Sequence, residues 1–451
     1  MRGSYRVLHC AMIVILVGGG WSAAKSQAGE GRLGRGRDLF ERTWAPTHQQ
    51  NPEPDGLGPL YNERSCLACH SLGGIGGAGP TSKNIDLLSP TIRPGELPPD
   101  DLIARMQRVH PGFTMVSSIV LHKFSTNAES YEVFRNELLG VPGMSAAAAS
   151  PLIVAAAPPR KDSGAPLKSI DIQDVRFVWS QRNTTALFGL GRIGRISENE
   201  LKDVAQLQQR ENPEVSGRFT GRFGWRGQID ELSEFVRSAC ATELGLNIGT
   251  HAQAVDPLED RVSVASKRKV DLTHQQCSEL TAYVAALPAP RRLVPEDSEE
   301  RRQAAAGEEV FRNIGCAVCH RRNLGSVSGL YSDLLVHEMG SELSDPSPAP
   351  AATLVSRVSE SSAYGGGPIV TVALATEDRR QEWKTPPLWG VRDSAPYLHD
   401  GRAETLEAAV LQHGGEAAGS TKRFRELPAS ERMQVLAFLR TLAAPDPASL
   451  R

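Results

Sequence analysis

Cys66-Leu67-Ala68-Cys69-His70 and Cys316-Ala317-Val318-Cys319-His320 decide how this chain is read. Each is Cys-x-x-Cys-His, the attachment pattern of a c-type haem. Two thiols at that spacing reach two vinyl groups on one porphyrin edge. The histidine directly after the second thiol then turns its imidazole under the iron as proximal ligand. Four cysteines also suit a tetrahedral zinc site, and a single Cys-x-x-Cys suits a redox dithiol. Neither needs a histidine after the second cysteine, and here both pairs have one. The expected cofactors are therefore two covalently bound c-type haems, with His70 and His320 on the irons. Of the other cysteines, Cys10 falls in an N-terminal apolar run. Cys240 and Cys277 are expected to pair as a disulfide in an oxidising compartment, a free thiol near a haem being the alternative.

The two motifs stand 250 residues apart, so the chain is searched for a repeat. Gly36-Arg37-Asp38-Leu39-Phe40 precedes the first motif as Gly307-Glu308-Glu309-Val310-Phe311 precedes the second. Downstream, Thr185–Leu190 resembles Pro387–Val391, and Phe223-Gly224-Trp225-Arg226-Gly227 lies over Tyr397-Leu398-His399-Asp400-Gly401. That places Trp225 over His399. Each half closes on an apolar helix, over Leu280–Leu287 and Val435–Leu442. Thr273 and Gln276 form a capping box ahead of the first. The predicted fold is mainly α: two tandem cytochrome c-like domains with long irregular loops, over 29–290 and 296–447, joined near Pro288–Ser298. From His70 to Trp225 the chain takes 155 residues, but from His320 to His399 only 79. The first domain thus carries an insertion at about 85–175, with an Ala/Pro-rich linker at Met144–Pro166. A second low-complexity loop is expected at Ser341–Ala352.

Length and composition fit this plan. The 451 residues suit two or three domains. A 40% hydrophobic and 23% charged composition excludes wholesale disorder. A net charge of −2 gives no electrostatic case for nucleic acid or an anionic membrane. Arg2 and Arg6 precede the apolar run Val7–Trp21 and then small residues through Ala28. This predicts a signal peptide at 1–28 and a periplasmic mature protein, an uncleaved anchor being the rival. No stable membrane span is expected after cleavage.

The motifs together resemble the bacterial di-haem cytochrome c peroxidase superfamily. Gly56–Cys66, Tyr331–Gly340 and His413–Ala417 look like its di-haem oxidoreductase branch, also called thiol-oxidoreductase-like. In these peroxidases a methionine, fourteen positions after the block histidine, ligates the electron-transfer haem. Counting from His399 reaches His413, at the end of a predicted short helix Thr405–His413. The resemblance implies His413 as distal ligand of the second haem, with His337 and Met339 as competitors and helix capping as the plain alternative. Bis-histidine ligation would lower the potential relative to His/Met. Arg402, in the His399-Asp400-Gly401-Arg402 block, is a candidate partner for a haem propionate.

The same count from Trp225 reaches Ala239, so the first haem has no ligand there unless the insertion supplies one. His110, His122 and Met115 are the candidates. Trp225 matches the family's tryptophan between the haems, and a core tryptophan is its plain reading. Glu243 falls roughly where the family places a distal acid for peroxide cleavage. The resemblance therefore implies a di-haem oxidoreductase enzyme of peroxidase type. Electrons would enter at the second haem from a small donor protein, of cytochrome c or cupredoxin type. Hydrogen peroxide or another oxidant would react at the first. The rivals are a plain electron carrier and an oxidant of a protein or organic substrate. Some relatives bind calcium between domains, but no acidic loop here supports such a site.

Overall fold

The computed structural model describes residues 31–45, 56–91, 99–113, 118–139, 153–154, 169–172, 175–251, 253–254, 256–258, 270–345 and 380–450. The expected signal peptide, Cys10, Met115 and most of the 144–166 linker lie outside them, as does the 346–352 part of the second expected loop. The described chain is predominantly helical with small sheets.

The two halves repeat one local geometry. In the first, residues 31–41 are helical, and the helix His274–Ala286 packs across them. Thr273 and Gln276 form the full capping box there. In the second, Ser298–Asn313 is capped by Asp297, whose carboxylate accepts from the Glu299 and Glu300 amides. It buries Ala304, Gly307 and Phe311 against Ala429–Leu439. Each crossing turns on a glycine. A Cβ at Gly36 would collide with the Glu279 carbonyl, and one at Gly307 with that of Gln434. Beside each crossing a phenylalanine joins the motif histidine to the closing helix. Phe40 lies 6.4 Å from His70 and 5.5 Å from Tyr283. Phe311 lies 6.2 Å from His320 and 5.3 Å from Phe438. Full burial of Phe438 is worth roughly 2–3 kcal/mol.

The aligned turns match as well. Phe223 bridges Ile229, and Tyr397 bridges Ala403, in the same antiparallel manner. Gly224 (φ 84°) corresponds to Leu398 (φ 70°), and Gly227 (φ 62°) to Gly401 (φ 72°). Leu398 thus holds a left-handed conformation where the first half has glycine.

Where the insertion is expected, the chain builds a five-stranded antiparallel sheet. Its order is Ile119–Val120, Ile85–Thr91, Val175–Arg182, Ser169–Ile172, Ile153–Val154. Helices Pro99–Val109 and Ala128–Leu139 accompany it over a core of its own, centred on Leu88, Phe113, Leu121 and Phe177. Asp86 ties helix to sheet. It pairs with Arg135 and accepts from the Gln181 amide at 2.8 Å.

The halves meet through shared elements. Arg218 exchanges both backbone hydrogen bonds with Val336 of strand Val336–Glu338, which also pairs with Glu382–Lys384. Within the expected 288–298 joint, Arg291–Arg292 pairs with Leu442–Ala443. Cys240 and Cys277 are free thiols in the first apolar core, not the expected disulfide. Burial pushes both thiols up in pKa, so neither is activated as a thiolate. No helix among the described residues is long and apolar enough to cross a membrane.

Candidate functional site

The second motif opens onto a cavity of about 580 Å³. Cys316, Cys319, His320 and His413 all line it. The rings of His320 and His413 lie 6.4 Å apart between centroids, with planes at 61°. His320 Nδ1 is 3.0 Å from the Tyr331 carbonyl, and His413 Nδ1 is 2.7 Å from that of Ala409. An Nδ1–H given to a carbonyl leaves the Nε2 lone pair free for a metal. Burial holds His320 down at about 4, with His413 as the next cause, and burial lowers His413 too. Both rings are therefore neutral, the ligating form.

These residues fit a haem. Two imidazoles bound through Nε2 to one metal, at about 2 Å per bond, set their centroids roughly 6 Å apart. The cavity lies within the range of roughly 300–1,000 Å³ usual for cofactor sites. Helix capping and metal binding are not exclusive at His413, since Nδ1 does the first and leaves Nε2 for the second. His337 is not free to compete. Its Nε2 is 2.9 Å from Asp333 Oδ2 and its Nδ1 is 2.7 Å from Glu416 Oε2. Met339 also lines the cavity.

The cavity extends toward the first half at Trp225. Trp225 Nε1–H donates to the Asn183 carbonyl at 2.8 Å. Asn183 in turn donates its own amide to the His399 carbonyl at 2.7 Å. Its side chain donates to the Gly79 carbonyl and to Asn84 Oδ1. One residue therefore ties Trp225 and His399 to the loop that follows the first motif. His399 stacks on Trp383, and the Arg226 and Arg182 guanidinia lie over that same indole. Arg402 donates to Asp400 Oδ2 at 2.6 Å and to the Glu342 carbonyl at 2.7 Å.

The first motif is a short helix, Cys66–Cys69, capped by Ser65. His70 repeats the pattern of His320: Nδ1 is 3.1 Å from the Gly77 carbonyl, and burial holds the ring at about 4. Helix Leu232–Glu243 runs beside it, bringing Ala239, Cys240 and Glu243. Burial, then Glu243 and Glu63, pushes the Cys69 thiol up to about 12. Asn62 Nδ2–H donates to Glu243 Oε2 at 2.7 Å, and the Asn62 amide donates to the Glu243 carbonyl at 2.7 Å. Burial raises Glu243 to about 7 against the pull of Asn62 and Lys123. His122 Nε2 is 2.8 Å from the Thr242 carbonyl, on the same helix as Glu243. His110 sits beside Phe113 and Phe134 at the insertion core.

Sequence reasoning did not single out Asn62, Asn183, Trp383 or the carboxylates around His337. Trp383 had a signal, since it stands four residues before the Pro387–Val391 repeat block. The others act through contacts between distant segments.

Residues 374–442 match the family described as "Di-haem oxidoreductase, putative peroxidase". Methylamine utilization protein MauG of Methylorubrum extorquens is 24% identical over 266 residues, covering 55% of this chain and 67% of that protein. Cytochrome-c peroxidase IdrP2 of Denitromonas iodatirespirans is 26% identical over 247 residues, covering 51% of this chain and 66% of its own. The chain thus spans about two thirds of each relative. Residues 374–442 thus resemble a di-haem oxidoreductase domain, and the relatives support an oxidoreductase enzyme. Two solved structures are similar at 17% identity. A Kuenenia stuttgartiensis hydrazine synthase covers 58% of this chain and 73% of its own, with a TM-score of 0.30. A MauG-like protein associated with microbial copper homeostasis covers 55% and 90%, with a TM-score of 0.28.

Proposed function

We propose that the protein is a periplasmic di-haem c-type oxidoreductase of peroxidase type, built as two tandem cytochrome c-like domains with an inserted sheet in the first. Cys66, Cys69 and His70 would hold one haem. Cys316, Cys319, His320 and His413 would hold the other. When bound, the haems supply electron storage and an open iron for hydrogen peroxide.

The observation that carries this reading is an asymmetry. His413 faces His320 in the second half. Its counterpart by repeat position is Ala239, which has no group to bind a metal. The second site is then closed and suited to electron entry from a small cytochrome c or cupredoxin. The first is open and suited to chemistry. Trp225 stands between them, its N–H fixed on Asn183, and relays electrons from one to the other. Glu243 moves a proton between the two peroxide oxygens as the bond between them breaks, and a pKa near 7 suits both halves of that task. Peroxide, two electrons and two protons give two waters.

The test is the EPR and visible spectrum of the purified holoprotein, fully oxidised and half-reduced. A high-spin ferric signal in either state, together with peroxide turnover, supports the reading. Two low-spin signals in both states and no turnover would replace it with the plain electron carrier. An open haem that reacts with peroxide but barely oxidises small donors would favour the oxidant of a protein or organic substrate.

A further inference from the structure

His413 is held by its neighbours as well as by its own helix. The turn that follows it, Gly414-Gly415-Glu416, is pressed backbone to backbone on the segment after strand Val336–Glu338. A Cβ at Gly340 would stand 2.8 Å from the Gly415 amide nitrogen, and one at Gly414 would stand 2.9 Å from the Met339 carbonyl oxygen. A buried ionic bridge then fastens the contact. Glu416 Oε2 meets His337 Nδ1 at 2.7 Å, and His337 Nε2 meets Asp333 Oδ2 at 2.9 Å. The three side chains are 9%, 2% and 0% exposed. Ser216, from the first half, donates to Glu416 Oε1 at 2.6 Å. Gln208 completes the path, donating to Asp333 Oδ2 and to the Val318 carbonyl, both at 2.9 Å. Val318 lies inside the second attachment motif.

A continuous chain of hydrogen bonds therefore runs from the turn behind His413 to the segment that carries Cys316 and Cys319. Stability alone does not call for it, because buried ion pairs are often matched or exceeded by apolar residues of equal volume. What a directional bridge adds is a fixed relative position.

We propose that the Glu416–His337–Asp333 bridge is the positioning device that holds His413 opposite His320 and so keeps the second haem closed to outside ligands. The proposal rests on the reading of His413 as distal ligand. It assigns no ligand role to His337, whose two ring nitrogens are both taken.

The test measures cyanide and imidazole affinity, and the low-spin EPR signal, of the second haem in holoprotein. His413→Ala identifies that signal by abolishing it. Glu416→Ala is expected to convert at least half of the signal to high spin and to strengthen imidazole binding tenfold or more. Added imidazole should restore the low-spin signal. Glu416→Gln keeps the shape and one hydrogen bond, so it should fall between wild type and Glu416→Ala, and it stands in if the alanine variant does not fold. A bridge that only stabilises the fold would lower the melting temperature and leave affinity and spin state unchanged, which overturns the proposal. If His413→Ala itself leaves the spectrum unchanged, the ligand reading falls and the proposal falls with it.

Discussion

The ring of His399 lies flat on that of Trp383, 3.7 Å between centroids with planes at 11°. The Arg226 guanidinium sits 4.2 Å and that of Arg182 4.9 Å from the same indole. Burial, then Arg182, Arg402 and Arg226, holds His399 well below its usual pKa, so the imidazole in the stack is neutral. Trp383→Ala empties a site that both halves share and strips two cations of their aromatic partner. The expected cost is about 3–5 kcal/mol, read from urea unfolding of holoprotein. A loss below about 1 kcal/mol would mean that the stack does not clamp the halves.

Peroxide turnover should bend near pH 7, where Glu243 titrates. Glu243→Gln should lower it by about 10²–10⁴-fold and remove the bend. Asn62 donates to the ionised carboxylate, so Asn62→Ala should move the bend to higher pH. A pH profile unchanged in both variants would take Glu243 out of the reaction.

The same carboxyl leaves a mark on stability. Its folded pKa, about 7, lies above its usual 4.5. Below pH 4.5 it is protonated in both states and contributes nothing to pH dependence. Between 4.5 and 7 the unfolded chain loses this proton first, so stability falls as pH rises, and it levels above 7. Glu243→Gln should gain stability over wild type at pH 8 relative to pH 5, in parallel urea titrations.

Gly36→Ala and Gly307→Ala test the two helix crossings. Helix propensity alone predicts that each stabilises by about 1 kcal/mol. The added Cβ would instead press on the facing helix, 2.7 Å from Tyr283 Cβ in one case and 2.9 Å from the Val435 amide nitrogen in the other. Each variant is therefore expected to lose about 1–3 kcal/mol. The sign of the change in thermal unfolding decides between the two.

His413→Met should raise the midpoint potential of the second haem by on the order of 0.1 V or more, because axial ligands set potentials over about 0.8 V. Spectroelectrochemical titration reads it. An unmoved potential would show that position 413 is not on the iron.

What the sequence discloses here is what lies close together in the chain. The attachment motifs, the Thr273 cap and the short helix ahead of His413, which runs Leu406–Leu411 rather than to His413 itself, are local, and all three are legible. The repeat is legible because Gly36 and Gly307, and the turns at Gly227 and Gly401, answer one backbone demand twice. The sheet was hidden because Ile85–Thr91 finds its main partner about ninety residues away, at Val175–Arg182, and three of its five strands are four residues or shorter. Cys240 and Cys277 looked like a disulfide because compartment chemistry says which cysteines are able to pair, not which way their helices turn them. The bridge at His337 joins positions 208, 333, 337 and 416, and no local pattern marks such a meeting.

Asn183 follows directly on the strand Val175–Arg182, the last of the inserted sheet. Its backbone bonds both Trp225 and His399. If Trp225 relays electrons as proposed, this one peptide acts as a gauge block on that path. The neighbouring strands of the sheet join it on a hydrogen-bonded ladder. Descendants of this chain can therefore recut the outer strands for new partners while the Trp225–His399 spacing stays the same.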